Sequence, residues 1–277
     1  MDILMNKEQL LNSFFSEYDN ALVAFSGGID STVVLKAAIN NLGKENVTAV
    51  IVNSELFTDE EFDKAVDLAN SMHANVVTTN INYLSNEHIR MNRSDSWYYA
   101  KKMFYIEANR IKAKLNLNVV LDGMIMDDLD DYRPGMVAKN EEGCLSPLQA
   151  AEMYKDDVRD YAKSNNLLNW NKVPSCSISS RFPYNSEITQ DAIEKVMNSE
   201  RLLRNMGFAT VRVRIHGDIA RIEVNSDQMA ELISNAKDVN KKLKQFGFKY
   251  VTVDLGGFVS GHMNEALSEK QLNKFKA

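Results

Sequence analysis

The chain alternates short apolar runs with longer stretches of helical period. Ala21-Leu22-Val23-Ala24-Phe25 and Thr48-Ala49-Val50-Ile51-Val52 are nearly unbroken apolar runs of strand length, the pattern of strands buried on both faces. Residues 75–79 and 118–121 read as two further strands. Between these runs lie helical stretches at 6–18, 32–41, 59–72 and 95–115. The third places Phe62, Val66 and Ala69 on one face, and Ser94 or Asp95 stands ready to cap the fourth. Strands alternating with helices predict an α/β fold: a doubly wound, mostly parallel sheet with helices on both faces.

From about Asn185 the pattern changes. A helix over 189–206 precedes strands at 211–215 and 219–224, a helix over 227–246 and a strand at 250–255. This is the pattern of a smaller C-terminal α+β domain, so the expected division is 1–184 and 185–277. Gly217-Asp218 between two strands suits a type II′ turn, with glycine at the first central position. That register pairs Val213 with Ile222 and Val211 with Val224 on an apolar face. It sets Arg212 opposite Glu223, and Arg214 opposite Arg221, on a charged and exposed one.

Composition narrows the class. At roughly 150 residues per domain, 277 residues predict about two domains. Hydrophobic residues at 44% and charged residues at 25% exclude a disordered tail, a collagen and a disulfide scaffold. Lys plus Arg is 32 and Asp plus Glu 38, a net charge of −6, which argues against gripping a nucleic-acid backbone. No apolar run approaches the ~18 residues of a membrane span. The first residues lack a basic segment followed by an apolar core, so a cytoplasmic protein with reduced thiols is expected. Its two cysteines, Cys144 and Cys176, form no C-x-x-C pair and cannot build a structural zinc site alone.

Candidate chemistry begins at Ser26-Gly27-Gly28-Ile29-Asp30-Ser31, directly between a buried strand and a helix. Two glycines permit a tight turn and close approach of an anion to backbone amides. The helix N-terminus adds unpaired N–H groups and the positive end of its dipole, and the serines add hydroxyl donors. No Gly-Lys-Ser/Thr follows, so this is not a Walker A loop. The segment resembles the PP-loop of the ATP pyrophosphatases, which split ATP between its α- and β-phosphates and adenylate a carboxyl or carbonyl oxygen.

Further segments narrow the resemblance. They are Asn53–Glu61, Asp95–Lys102, Leu121-Asp122-Gly123-Met124, Asp131–Gly135, Trp170–Cys176, Ser179–Tyr184, Thr210–Arg214 and Leu255–Phe258. Together, over nearly the whole chain, they resemble the LarE family of ATP-dependent sacrificial sulfur transferases.

The resemblance implies an activity. The substrate is pyridinium-3,5-biscarboxylic acid mononucleotide and the route leads to the nickel-pincer nucleotide cofactor of lactate racemase. Ser26, Gly27, Gly28, Asp30 and Ser31 bind the pyrophosphate of ATP with Mg²⁺, and Trp97, Lys101, Asp122, Gly123, Ser180 and Arg181 surround nucleotide and substrate. Arg212 and Arg214 hold the substrate phosphate, and Glu200, Glu223 and Glu231 form a site for a second divalent metal. Cys176 is the sulfur donor and ends as dehydroalanine, with Lys172 and Arg181 as flanking cations that favour its thiolate. The ordinary alternative for a free cysteine is a small buried residue.

Cys144 matches no motif and sits in an acidic segment. Relatives that hold an iron–sulfur cluster need three cysteines; with two here no such cluster is expected. The resemblance also implies a homo-oligomer, a hexamer, linked functionally to the carboxylase that makes the substrate and to a nickel-inserting enzyme. The competing readings are other PP-loop adenylating enzymes. An amidating synthetase needs ammonia rather than Cys176, and a tRNA-thiolating enzyme needs a basic face that the charge does not supply. A non-catalytic nucleotide-binding regulator built on the same sheet is a third reading, disfavoured by an intact Asp30 and Ser31.

Overall fold

The structure, a computed structural model, describes residues 2–130, 133–172, 176–259 and Leu267. In chain order the elements are α1 (Asp2–Phe15), β1 (Ala21–Ala24), α2 (Ile29–Leu42), β2 (Val47–Asn53), α3 (Asp59–Ser71) and β3 (Asn75–Asn80). Next come α4 (Glu87–Arg90), α5 (Ser96–Lys114), β4 (Val119–Leu121), α6 (Pro134–Glu141), α7 (Pro147–Ala150) and α8 (Lys155–Ser164). The chain continues through α9 (Gln190–Asn205), β5 (Val211–His216), β6 (Ile219–Val224), α10 (Met229–Ser234), α11 (Ala236–Gln245) and β7 (Tyr250–Val253). Two compact units result. Of the described residues, the first takes the chain up to Tyr83 and again over 97–172; the second takes Leu84–Ser96, 176–259 and Leu267.

The first unit is an α/β layer structure. Its four strands are parallel, in the order β3-β2-β1-β4. Alternate residues serve opposite faces. Ala21, Val23, Ala49, Ile51, Val119 and Leu121 pack with α1, α2, α3 and α8. Leu22, Val50 and Val120 pack with Tyr105, Ala108 and Ile111 of α5 and Ala138 of α6. With both faces covered, the central strands must be apolar at every position, which is why the runs at 21–25 and 47–52 are unbroken. At the edge, β3 is partly exposed and reads Val-Val-Thr-Thr between asparagines.

Strand order reverses at β1, which has β2 on one side and β4 on the other. The loops after β1 and β4 therefore meet at the switch point where such sheets bind ligands. Helices α6, α7 and α8 were not expected. Pro134 and Pro147 open α6 and α7, where a missing N–H costs nothing.

The second unit carries the three-stranded sheet β5-β6-β7, antiparallel then parallel. Thr189 caps α9 by accepting from the Ala192 amide. The hairpin register is the predicted one, with Val213 on Ile222 and Arg212 on Glu223. Gly217, at φ 59, is the left-handed residue of its turn.

Two expectations need correction. The helix over 227–246 is broken: Asn235 ends α10 at φ −93, ψ 8, and its amide donates to the Glu231 carbonyl at 2.9 Å. The charged face of the hairpin is not open to solvent, since Glu223 is 0% and Arg214 9% exposed.

Candidate active site

Ser26–Ser31 leaves β1 and turns into α2. Gly27 adopts φ 68, and a Cβ there would lie 3.0 Å from the Ala65 side chain of α3, so the position needs glycine on both counts. Gly27's carbonyl accepts from Asn169 Nδ2 at 3.1 Å and Lys172 Nζ at 3.0 Å. The peptide is planar and trans, so the Gly28 N–H faces the other way, toward Ser26 Oγ at 3.4 Å. Ser31 Oγ lies 3.2 Å from Ser26 Oγ and donates to the Gly28 carbonyl at 3.0 Å. The first amides of α2 have no intrahelical acceptor and remain available to an anion. Burial lowers the Lys172 pKa. Lys172 was expected to support a cysteine thiolate; instead it pins the loop carbonyl.

Asp30 is bound through both carboxylate oxygens by Lys155 Nζ, at 2.7 and 2.8 Å. Burial raises the Asp30 pKa, against the lowering pull of Lys155. Lys155, Asn169 and this use of Lys172 carry no local signal, because nothing in their spacing ties them to the loop. Asn169 also leaves a buried Oδ1 without a hydrogen-bond partner.

The loop after β4 presses on the start of α2. A Cβ on Gly123 would fall 2.8 Å from the Ser31 nitrogen. Asp122, buried, accepts from Tyr105 Oη and from Ser146 Oγ, each at 2.6 Å, and from the Met124 amide at 3.2 Å. Lys139 Nζ in turn donates to Ser146 Oγ at 3.0 Å. Asp122 is thus saturated by protein donors and fixes its turn. Lys101, on α5, has its pKa lowered by burial, partly countered by Asp122. Its ammonium lies 5.6 Å from the Tyr105 ring centroid. Trp97 is half-buried in the first turn of the same helix.

In the second unit, Cys176 is exposed at the head of a short turn held by arginines. Arg181, buried, donates to the carbonyls of Cys176 and Ser177 and to Ser180 Oγ, and grips Glu200 with two nitrogens, at 2.8 and 3.2 Å. Arg214 donates to the Ser180 carbonyl at 2.6 Å and forks onto Glu223. Arg212 does not pair with the Glu223 opposite it; it donates to its own neighbour Val211 and stacks 5.1 Å from the Phe258 ring centroid. Burial and neighbouring Arg181 lower its pKa, against the opposing charges of Glu200 and Cys176. The other thiol, Cys144, is 2% exposed, and burial pushes its pKa up to about 12.

The expected metal carboxylates do not meet. Glu200 is taken by Arg181, Arg204 and the Val213 amide, and Glu223 by Arg214 and Arg221. Glu231 is exposed on α10. Among the described residues no three His, Cys, Asp or Glu side chains are grouped to hold a metal ion. As placed, Glu200, Glu223 and Glu231 do not form a site for a second divalent metal.

The match to known proteins follows this geometry. The NAD synthase family model matches residues 7–121, the part that carries the Ser26–Ser31 loop. The pyridinium-3,5-bisthiocarboxylic acid mononucleotide synthase of Lactiplantibacillus plantarum is 53% identical over 99% of this chain and 100% of its own. The chain belongs to the LarE family. An uncharacterized protein of Synechocystis is 35% identical over 96% of this chain and 100% of its own. A glutamine-dependent NAD(+) synthetase of Synechocystis is 36% identical over 22% of this chain and 11% of its own. Cys176 and the arginine turn lie beyond the residues that the NAD synthase family model matches. No helix among the described residues is long and apolar enough to cross a membrane.

Proposed function

We propose that this LarE-family enzyme adenylates a carboxylate of pyridinium-3,5-biscarboxylic acid mononucleotide and replaces one oxygen with the sulfur of its own Cys176. The observation that carries this reading is the contrast between its thiols. Cys176 is exposed and its carbonyl accepts from Arg181, whereas Cys144 is buried with its pKa pushed up to about 12.

A carboxylate is a poor electrophile because oxide would have to leave. Transfer of AMP from MgATP gives an acyl adenylate and pyrophosphate. The amides after Gly27, the hydroxyls of Ser26 and Ser31 and the Lys155 ammonium are placed to take pyrophosphate charge. The Cys176 thiolate then attacks the acyl carbon; the C–S bond forms and AMP leaves. Loss of the Cα proton of Cys176 and cleavage of its Cβ–S bond put the electron pair on sulfur. The products are a thiocarboxylate and dehydroalanine at 176, so each chain acts once. Arg212, with donors to spare, is suited to the substrate phosphate as a planar fork. The second unit, from Cys176 onward, carries the sulfur and substrate-phosphate groups, and the first handles the nucleotide.

The product continues, in this reading, to a nickel-inserting enzyme and the pincer cofactor of lactate racemase, after a carboxylase has supplied the substrate. The assembly is a homo-oligomer, a hexamer, in the cytoplasm.

Intact-protein mass before and after incubation with ATP, Mg²⁺ and the biscarboxylated mononucleotide tests the chemistry. Loss of one H₂S, mapped to the Cys176 peptide, is expected. Pyrophosphate release with unchanged mass removes the donor role and leaves an adenylating enzyme that takes its nucleophile from elsewhere.

A further inference from the structure

The chain leaves the first unit at Leu84 and returns at Trp97. In that excursion lies Asn92, 1% exposed and at φ 43, in the left-handed region that asparagine enters more readily than most L residues. Its Nδ2 points to three carbonyls: Phe182 at 2.9 Å, Pro183 at 3.1 Å and Ser179 at 3.3 Å. Three acceptors around one atom settle which end of the amide is nitrogen. Its own carbonyl accepts from the Asn185 amide at 3.0 Å, and the Arg90 carbonyl accepts from Ile188 at 2.7 Å. The excursion is thus stitched along the stretch that follows Cys176. The carbonyls of Cys176 and Ser177 accept from Arg181, and that of Ser180 from Arg214. Asn92 is thus buried against the turn that follows Cys176, and its side-chain amide N–H groups are spent on that turn's backbone.

We propose that Asn92 is a positioning residue for sulfur delivery. By fixing the Ser179–Pro183 carbonyls it sets the backbone of the turn that presents Cys176. The proposal rests on the reading that Cys176 donates its sulfur. Elimination demands such control, because the Cα–H and Cβ–S bonds of one residue must be aligned while its sulfur is joined to the substrate. A small displacement of a reacting group costs rate without costing the fold.

The test uses the full chain with Asn92→Asp and Asn92→Gly, in a Cys144→Ala background. Aspartate keeps the shape but turns an oxygen on three carbonyls. Glycine removes the amide yet suits the positive φ, so it separates the clamp from backbone strain. Pyrophosphate release, loss of H₂S by mass, melting temperature and the rate of Cys176 alkylation by iodoacetamide are read together. Both variants are expected to release pyrophosphate within about twofold of the parent while sulfur loss slows roughly 10- to 100-fold and alkylation changes several-fold. Sulfur loss at the parental rate in Asn92→Gly overturns the proposal. So does a parallel fall of both half-reactions that tracks melting, which is a purely structural role. If the parent itself loses no H₂S, the donor reading fails separately; alkylation then decides Asn92, altered rates supporting the clamp and equal rates overturning it.

Discussion

Lys155 holds both carboxylate oxygens of Asp30, at 2.7 and 2.8 Å, across 125 residues of sequence. The pair sets an ammonium beside the first turn of α2, in the loop that lacks a Walker lysine. In the proposed reaction that charge passes from Asp30 to the developing pyrophosphate. Lys155→Met is expected to lower the single-turnover rate of pyrophosphate release at subsaturating ATP roughly 100-fold, the scale of one lost transition-state donor, with partial recovery in Lys155→Arg. Single-turnover pyrophosphate release followed against ATP concentration, with enzyme in excess over the mononucleotide, checks this. Parental kinetics in Lys155→Met would take the residue out of the site.

The two thiols should separate cleanly in solution. With its pKa pushed up to about 12, Cys144 is ionised in only about one molecule in 10⁴ at pH 8, and it is buried as well. Iodoacetamide is expected to label Cys176 alone in the folded chain and both residues in denaturant. Cys144→Ala should keep sulfur loss, at a stability cost of about 1 kcal/mol for the small cavity. Cys176→Ala should keep pyrophosphate release and lose no mass. Sulfur loss surviving in Cys176→Ala reassigns the donor.

Much of this arrangement was legible in sequence because it is local. The unbroken runs at β1 and β2, the Ser26–Ser31 loop and the Gly217 hairpin each declare themselves within a few residues. The hairpin register followed from side-chain period two. The register does not reach side-chain partners: it sets Arg212 opposite Glu223 at the Cα level, but a long guanidinium chooses among neighbours, and Glu223 takes Arg214 and Arg221. Lys155, Asn169 and Asn92 were invisible because each meets its partners only after folding. The break at Asn235 was hidden because apolar period continues through it, while the side chain's own bond to Glu231 ends the helix.

Arg212 and Arg214, equivalent by sequence period, should respond differently to removal. Arg214→Ala leaves Glu223, 0% exposed, with only its edge contact to Arg221, and should destabilise the chain by about 3–5 kcal/mol. Arg212→Ala removes a half-buried side chain whose one protein hydrogen bond goes to the Val211 carbonyl. It should cost stability little while raising the Kd for the pyridinium mononucleotide at least tenfold, the loss of about 1.4 kcal/mol or more from a charged hydrogen bond. Urea unfolding and equilibrium titration with the mononucleotide separate the two. An Arg212→Ala chain with unchanged Kd removes it from the phosphate site.

Glu200 gives the second unit a defined acid limit. Burial works to raise its pKa, but Arg181, Arg212 and the Val213 amide outweigh burial and hold it below the ordinary 4.5. Above 4.5 the residue is ionised in folded and unfolded chains alike, and its stabilisation is present in full. Below 4.5 the unfolded chain takes up the proton first, so stability falls until pH passes the lower native value. Glu200→Gln removes that proton linkage and leaves Arg181 buried against a neutral amide, a loss of about 3 kcal/mol near neutrality. The gap between parent and variant should therefore narrow as pH falls through this window. Hydrogen exchange at the β5 and β6 amides, from pH 6 down to 3, reads it in the right unit. A gap that stays constant across that range would show that Glu200 and Arg181 do not carry the acid sensitivity of the turn beneath Cys176.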